Sequence, residues 1–199
     1  MVSGTVERRA AVAALMAHRG EGEARALVIS GLGSPTWDLN AAGDDPANFY
    51  LWGAMGGAAM VALGVAQAQP SRRVMALTGD GEQLMALGAL ATIGAAGPAN
   101  LTVLVLDNER YGETGAQPSH TGRGTELAAV AAACGFAETE VARSLAEVEA
   151  LGARLAAPAQ GPRLFVVKIG AETPPRSMPA RDAPWLKSRF RARLGFEPG

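Results

Sequence analysis

The sequence predicts an α/β protein: a doubly wound, mainly parallel sheet with helices on both faces. Three observations carry this reading. Short unbroken apolar runs recur along the chain, the pattern of strands buried on both faces. Segments with helical apolar spacing alternate with them. The 199 residues are 48% apolar and 19% charged but only 5% aromatic, with 25 glycines, so the core must rely on close backbone packing rather than on large rings.

The elements follow in order. Thr5 to His18 places Val6, Ala10, Ala13, Ala14 and Ala17 at helical spacing. Arg25 to Ser30 (RALVIS) reads as a buried strand and runs into GLGSPTWDL, read as a Gly- and Pro-rich loop. Trp52 to Gln67 reads as a small-residue helix closed by Pro70, and Arg73 to Thr78 (RVMALT) as a second strand. Glu82 to Ala96 reads as one long helix stopped at Gly97-Pro98. Leu101 to Asp107 (LTVLVLD) is the clearest strand, and Glu109 to Gly124 is a polar loop with four glycines and Pro118. Helices at Thr125 to Cys134, with Thr125 as its cap, and at Ala146 to Leu155 precede a last strand at Arg163 to Ile169. The tail is Pro- and Arg-rich, with an amphipathic piece at Trp185 to Leu194. The expected division is an N-terminal helix over 1–24, a ligand-binding domain over 25–170 and a tail with a short helix over 171–199.

A net charge of −1 argues against a broadly basic nucleic-acid binder. No apolar run is long enough to span a bilayer, and MVSGTVERRA lacks the apolar core of a secretory signal, so a cytoplasmic protein is expected. One cysteine, Cys134, excludes an internal disulfide framework, and two histidines, His18 and His120, exclude a zinc site built on several imidazoles.

In parallel sheets of this kind ligands bind beyond the C-terminal ends of the strands. Thr78-Gly79-Asp80-Gly81-Glu82 sits where a strand ends and a helix begins. Two glycines permit a sharp turn and close approach of a ligand, and the helix start offers N–H groups to a phosphate. Asp80 would repel a bare phosphate but suits one bridged by a divalent cation, as magnesium bridges carboxylates and phosphates. The next strand ends in Asp107-Asn108-Glu109-Arg110-Tyr111-Gly112, where Asn108 adds a neutral oxygen ligand. Taken singly, each is an ordinary turn sequence. Their spacing, 26 positions from Gly81 to Asp107, fits one crossover unit between adjacent strands.

GDGEQLMALGAL followed by LDNERYG resembles the thiamine diphosphate and magnesium motif of thiamine-dependent enzymes. The resemblance covers roughly Leu27 to Phe196 and is to the pyrophosphate-binding domain alone. It is nearest to the small, beta-type subunits of phosphonopyruvate and sulfopyruvate decarboxylases, in NFYLWGAMGGAAMVALGVAQAQP, YGETGAQPSHTG and LKSRFRARLG. It implies that Asp80 and Asn108 bind Mg2+ by side chain and Arg110 by its carbonyl. It implies that Gly81 and Glu82 donate N–H groups to the diphosphate, with Gly33, Gly79, Tyr111 and Gly112 also against the cofactor. Gly53 would accept from the aminopyrimidine through its carbonyl, and Met55 would wedge the cofactor into a bent shape; core filling is the alternative for Met55.

Three departures stand out. Glu82 occupies a position where small residues are usual, so its side chain should point away from the phosphates or form an ion pair. Trp37 stands where the family usually has an arginine facing an anionic substrate tail, which weakens a phosphonate or sulfonate assignment. The third is length: the family's activating glutamate belongs to a second domain for which these 199 residues leave no room. The resemblance therefore implies a split enzyme acting on a small 2-oxo acid. Its partner subunit would bring the pyrimidine pocket and the glutamate, in a hetero-oligomer such as α2β2 or larger. Carboligation instead of decarboxylation, or a non-catalytic subunit of the same fold, are the alternatives within the family. Substrate-contacting candidates lie in Glu113 to Thr121, with Gln117 and His120 named as catalytic because both donate hydrogen bonds and His120 moves protons near neutral pH. A flavin or nucleotide binder is the competing class. Against it, GLGSPT lacks the third fingerprint glycine and no P-loop is present.

Overall fold

The computed structural model describes residues 5–196. The ends of the two expected terminal segments, 1–4 and 197–199, lie outside the described residues. The elements are α1 (Arg8–Met16), β1 (Leu27–Ser30), α2 (Ser34–Ala41), β2 (Asn48–Tyr50), α3 (Ala58–Ala68), β3 (Val74–Gly79), α4 (Asp80–Met85), α5 (Leu87–Ala96), β4 (Leu101–Asp107), β5 (Arg110–Tyr111), β6 (Gln117–Pro118), α6 (Leu127–Ala133), β7 (Glu138–Ala142), α7 (Leu145–Leu155), β8 (Arg163–Lys168) and α8 (Ala183–Arg193).

Six strands form one parallel sheet in the order β2-β1-β3-β4-β8-β7, and β5 and β6 make a separate small antiparallel hairpin. The four central strands are the four apolar runs of the sequence, and β1, β4 and β8 are buried throughout. Two apolar clusters lie on opposite faces of the sheet. Val12, Leu15, Leu151 and Phe165 belong to one; Leu63, Leu90, Ile93 and Val103 belong to the other. Each fully buried side chain of this size contributes about 1.5–3 kcal/mol, so the doubly wound arrangement follows from the need to cover both faces. α1 joins this core: it packs on α7, and Val6 bridges Ile169 beside the end of β8. At the other edge α8 packs on β2, with Phe190 against Phe49.

Several boundaries differ from those expected. GLGSPTWDL is not a loop throughout: Gly33 turns with φ 81° and Ser34-Pro35 opens α2, proline being suited to a first helical turn. The segment 52–67 is helical only from Ala58, because Gly53 and Gly56 take positive φ (73° and 87°) and keep the preceding residues in a turn. The single helix expected over 82–96 begins at Asp80 and breaks at Ala86 (φ −115°, ψ 42°) into α4 and α5. Thr125 does not cap α6, which has Glu126 at its N-cap without a side-chain bond. The edge strands β2 and β7 had no expectation, since NFY is short and ETEVA is polar and half-buried.

From β1 the chain moves outward to β2, then crosses back to β3 on the other side. This reversal opens a crevice beyond the C-terminal ends of β1 and β3. Among the described residues no helix is long and apolar enough to cross a membrane.

Candidate functional site

A cavity lies at that reversal. Its walls come from the turn after β1 (Leu32, Ser34, Pro35), from Met55, from the β3–α4 junction (Gly79 to Glu82), and from the segment after β4 (Asn108, Arg110 to Thr114). Arg8 at the start of α1 and Ile169 after β8 complete it. Asp80 and Asn108, expected together from spacing alone, therefore face one space.

Asp80 opens α4 and is 2% exposed. Its Oδ2 accepts hydrogen bonds from the Ser119 hydroxyl and from Thr121 Oγ1 at 3.3 Å. Burial pushes its pKa up to about 6; the hydroxyl bonds oppose that rise and the nearby Asp107 carboxylate adds to it. Thr121 Oγ1 also lies 2.8 Å from Asp107 Oδ1, and Asp107 Oδ2 pairs with Lys168 Nζ at 2.7 Å. Lys168 reaches Glu109 at 2.9 Å as well. Asp107 thus has a cation of its own, while among the described residues Asp80 has no ion pair. A buried carboxylate with hydroxyl partners and no counter-charge, beside an amide oxygen, is the donor chemistry a hard divalent cation takes up.

The segment after β4 is held by its own side chains. Asp107 Oδ1 accepts from Glu109 N at 2.9 Å, and Asn108 Oδ1 accepts from Arg110 N at 3.1 Å. Glu109 takes a positive φ of 60°, a left-handed conformation uncommon for glutamate, and its carbonyl receives Ser119 N at 2.8 Å. The hairpin of β5 and β6 then brings Tyr111 over the β3–α4 junction. A Cβ on Gly81 would lie 2.7 Å from the Tyr111 ring, so only glycine permits this approach. Tyr111 Oη is 3.1 Å from His120 Nδ1.

Glu82 is 3% exposed and forms no ion pair among the described residues. Its carboxylate runs toward the backbone of Gly31 and Gly56: Oε1 accepts from Gly56 N at 3.2 Å, and Oε2 has no hydrogen-bond partner among the described residues. Burial raises its pKa above the ordinary carboxylate value. The side chain thus ties the Met55-Gly56 turn to α4, and Met55 lines the cavity half-buried.

Among the other expected residues, Gly79, Tyr111, Gly112 and Arg110 line the cavity, but Gly33 and Gly53 do not. Gly33 sits at its margin, where the Glu113 carboxylate fills the space a Cβ would take, and Gly53 is exposed. Gln117 and His120 are exposed and stay outside the cavity. Gln117 folds back on Thr114 through bonds of 2.9 Å, and His120 is held by Tyr111. Trp37 also stays outside, buried beneath the Arg176 guanidinium at 4.4 Å. Ser119, Thr121, Lys168 and Arg8 were not singled out by sequence. Ser119 and Thr121 lie inside the SHT run of a loop already suspected, whereas nothing local marks Lys168 or Arg8.

Comparison with known proteins shows the family. The domain family described as thiamine pyrophosphate enzyme, C-terminal TPP binding domain, matches residues 38–169. Sulfopyruvate decarboxylase subunit beta of Methanocaldococcus jannaschii is 40% identical over 123 residues, covering 62% of this chain and 64% of that protein. Phosphonopyruvate decarboxylase of Streptomyces viridochromogenes is 43% identical over 145 residues, covering 72% of this chain and 36% of that protein. The chain thus spans less than two thirds of the length of either relative. Among solved structures, benzoylformate decarboxylase from Polynucleobacter necessarius superposes with a TM-score of 0.68 at 19% identity, over 84% of this chain and 34% of that one, a likeness of fold.

Proposed function

Since the chain belongs to the thiamine pyrophosphate enzyme family through its C-terminal cofactor-binding domain, we propose that it is the diphosphate- and magnesium-binding subunit of a split 2-oxo acid decarboxylase. The observation that carries this reading is the convergence of Asp80 and Asn108, from adjacent strand ends, on one cavity floored by Gly79 and Gly81.

In this reading Asp80, Asn108 and the Arg110 carbonyl hold Mg2+, and the N–H groups of Gly81 and Glu82 receive the diphosphate. Gly79, Tyr111 and Gly112 line the space around it, with Gly33 at its margin behind Glu113. Met55, which lines the cavity, would bear on the cofactor's ring portion; Gly53, exposed and outside the cavity, would meet it only where the cofactor extends toward the partner. When bound, thiamine diphosphate supplies the carbon nucleophile and electron sink that decarboxylation of a 2-oxo acid requires. The chain's own part is positional and electrostatic. Ser119 and Thr121 fix the rotamer of Asp80, Lys168 neutralises Asp107 so that the site does not carry two uncompensated carboxylates, and Glu82 locks the Met55 turn to α4. Gln117, on β6, and His120, in the turn after it, lie outside the cavity and would contact only a substrate that extends beyond it.

The pyrimidine-side pocket and its activating glutamate belong to a partner subunit in this reading, which the designation "subunit beta" of the Methanocaldococcus jannaschii relative supports. Met85, 61% exposed at the cavity rim, and Met60, 39% exposed on α3, offer the partner apolar surface. The assembly is a hetero-oligomer such as α2β2, working in the cytoplasm on a small 2-oxo acid. Co-expression with candidate partner subunits, followed by a screen of 2-oxo acids, tests this. Carbon dioxide release that requires both chains, Mg2+ and thiamine diphosphate is expected. Full activity of this chain by itself, or cofactor binding indifferent to Mg2+, would overturn it.

A further inference from the structure

Arg8 is 4% exposed, yet it is one of the residues that line the cavity. Nε donates to Asp38 Oδ2 at 2.7 Å, and the backbone N–H of Arg8 meets Glu172 Oε1 at 3.4 Å. The two terminal nitrogens, Nη1 and Nη2, have no acceptor among the described residues. Asp38, itself 2% exposed, also faces the Arg9 guanidinium at 3.6 Å, so one carboxylate answers two cations. Removing a charge from water costs several kcal/mol unless partners replace the lost hydration. Here four of the five guanidinium N–H groups have no partner among the described residues, and the terminal nitrogens that carry them are not fully cut off from solvent. Arg110, the other arginine at the cavity, differs: it is exposed and spends Nη1 on the Ala116 carbonyl.

We propose that Arg8 is the oxyanion-binding side chain of this cavity, held by Asp38 through Nε so that its terminal nitrogens present a fork to a phosphate, phosphonate or sulfonate oxygen pair. This rests on the reading of the cavity as a cofactor site. The planar fork suits two-point binding of such groups, which a lysine offers only as a point charge. Two sources supply this chemistry: the diphosphate of the cofactor, and the second acidic group of a dianionic 2-oxo acid. With tryptophan at position 37 packed beneath Arg176, Arg8 is the buried cation at hand for either.

The test uses the full chain with its partner and the variants Arg8→Lys and Arg8→Gln, with folding checked by circular dichroism and thermal melting. Calorimetry measures the Kd for thiamine diphosphate with Mg2+, and kinetics compares KM for phosphonopyruvate with KM for pyruvate. A Kd raised about tenfold or more in Arg8→Lys, with the KM ratio unchanged, assigns the diphosphate. An unchanged Kd with the phosphonopyruvate KM raised about tenfold or more and the pyruvate KM unmoved assigns the substrate's acidic group. Folded variants within twofold of wild type in both readouts overturn the proposal, provided wild type binds the cofactor. Failure of wild type to bind it overturns the proposed function instead. Should neither variant fold, crystals of the wild-type protein with Mg2+ and thiamine diphosphate, with and without a phosphonate analogue of the substrate, decide the matter. An oxyanion within hydrogen-bond distance of Arg8 Nη1 or Nη2 supports the proposal, and none there overturns it.

Discussion

Asp80→Asn separates the cost of a buried charge from the chemistry that charge serves. In the folded chain without metal the Asp80 carboxyl has its pKa raised by burial from 3.8 to about 6. An acid with a raised folded pKa favours the folded state most when protonated. Its stabilising share is fully present below pH 3.8 and is lost as pH rises through about 6. At 1.36 kcal/mol per unit, the shift corresponds to about 3 kcal/mol as an upper bound. Urea unfolding of the metal-free protein at pH 4.5 and pH 7.5 measures it. Wild type should lose stability relative to Asp80→Asn across that interval by about 1–2 kcal/mol, since part of the shift is already lost by pH 4.5 and the amide does not titrate. Adding Mg2+ with thiamine diphosphate at pH 7.5 should restore wild type and leave Asp80→Asn unmoved. Parallel pH profiles for the two proteins would refute the argument that this carboxylate is buried without a counter-charge.

Other changes probe the neighbouring contacts. Thr121→Val removes the hydroxyl between Asp80 and Asp107 and should cost about 1–3 kcal/mol of unfolding free energy, read by denaturant titration; a change under about 0.5 kcal/mol would discount that link. Gly81→Ala drives a methyl into the Tyr111 ring and should weaken thiamine diphosphate binding about tenfold or more in calorimetry, whereas Gly88→Ala, with open space around the added methyl, should leave it within twofold. His120→Ala should leave cofactor affinity unchanged, since the imidazole lies outside the cavity and touches Tyr111 at its hydroxyl; a tenfold loss of affinity would place it nearer the diphosphate than the geometry does.

The central sheet was legible because β1, β3, β4 and β8 are covered on both faces and so read as unbroken apolar runs. β7 escaped for the converse reason, being half-buried with Glu138 and Glu140 serving Arg154 and Arg163 rather than a core, and β2 escaped because its three residues are too short a run. α2 was hidden by the same Gly and Pro residues that start it, and the break at Ala86 leaves no local signal in an Ala- and Leu-rich run. In the site, Asp80 and Asn108 were legible because one crossover unit fixes their separation. Arg8 with Asp38, and Asp107 with Lys168, were not, because these pairs are made by tertiary packing between segments that carry no shared motif. Gln117 and His120 were chosen for their chemistry alone, and the hairpin that carries Gln117 and the turn that carries His120 set both at the surface.

The most direct measurement is calorimetric titration of thiamine diphosphate into the assembled protein with Mg2+ and again with the metal chelated, for wild type and Asn108→Leu. Tight binding that disappears on chelation, and falls at least about tenfold in Asn108→Leu, is the predicted result. Equal affinity with and without the divalent ion would contradict the claim that Asp80 and Asn108 together hold a cation against the diphosphate.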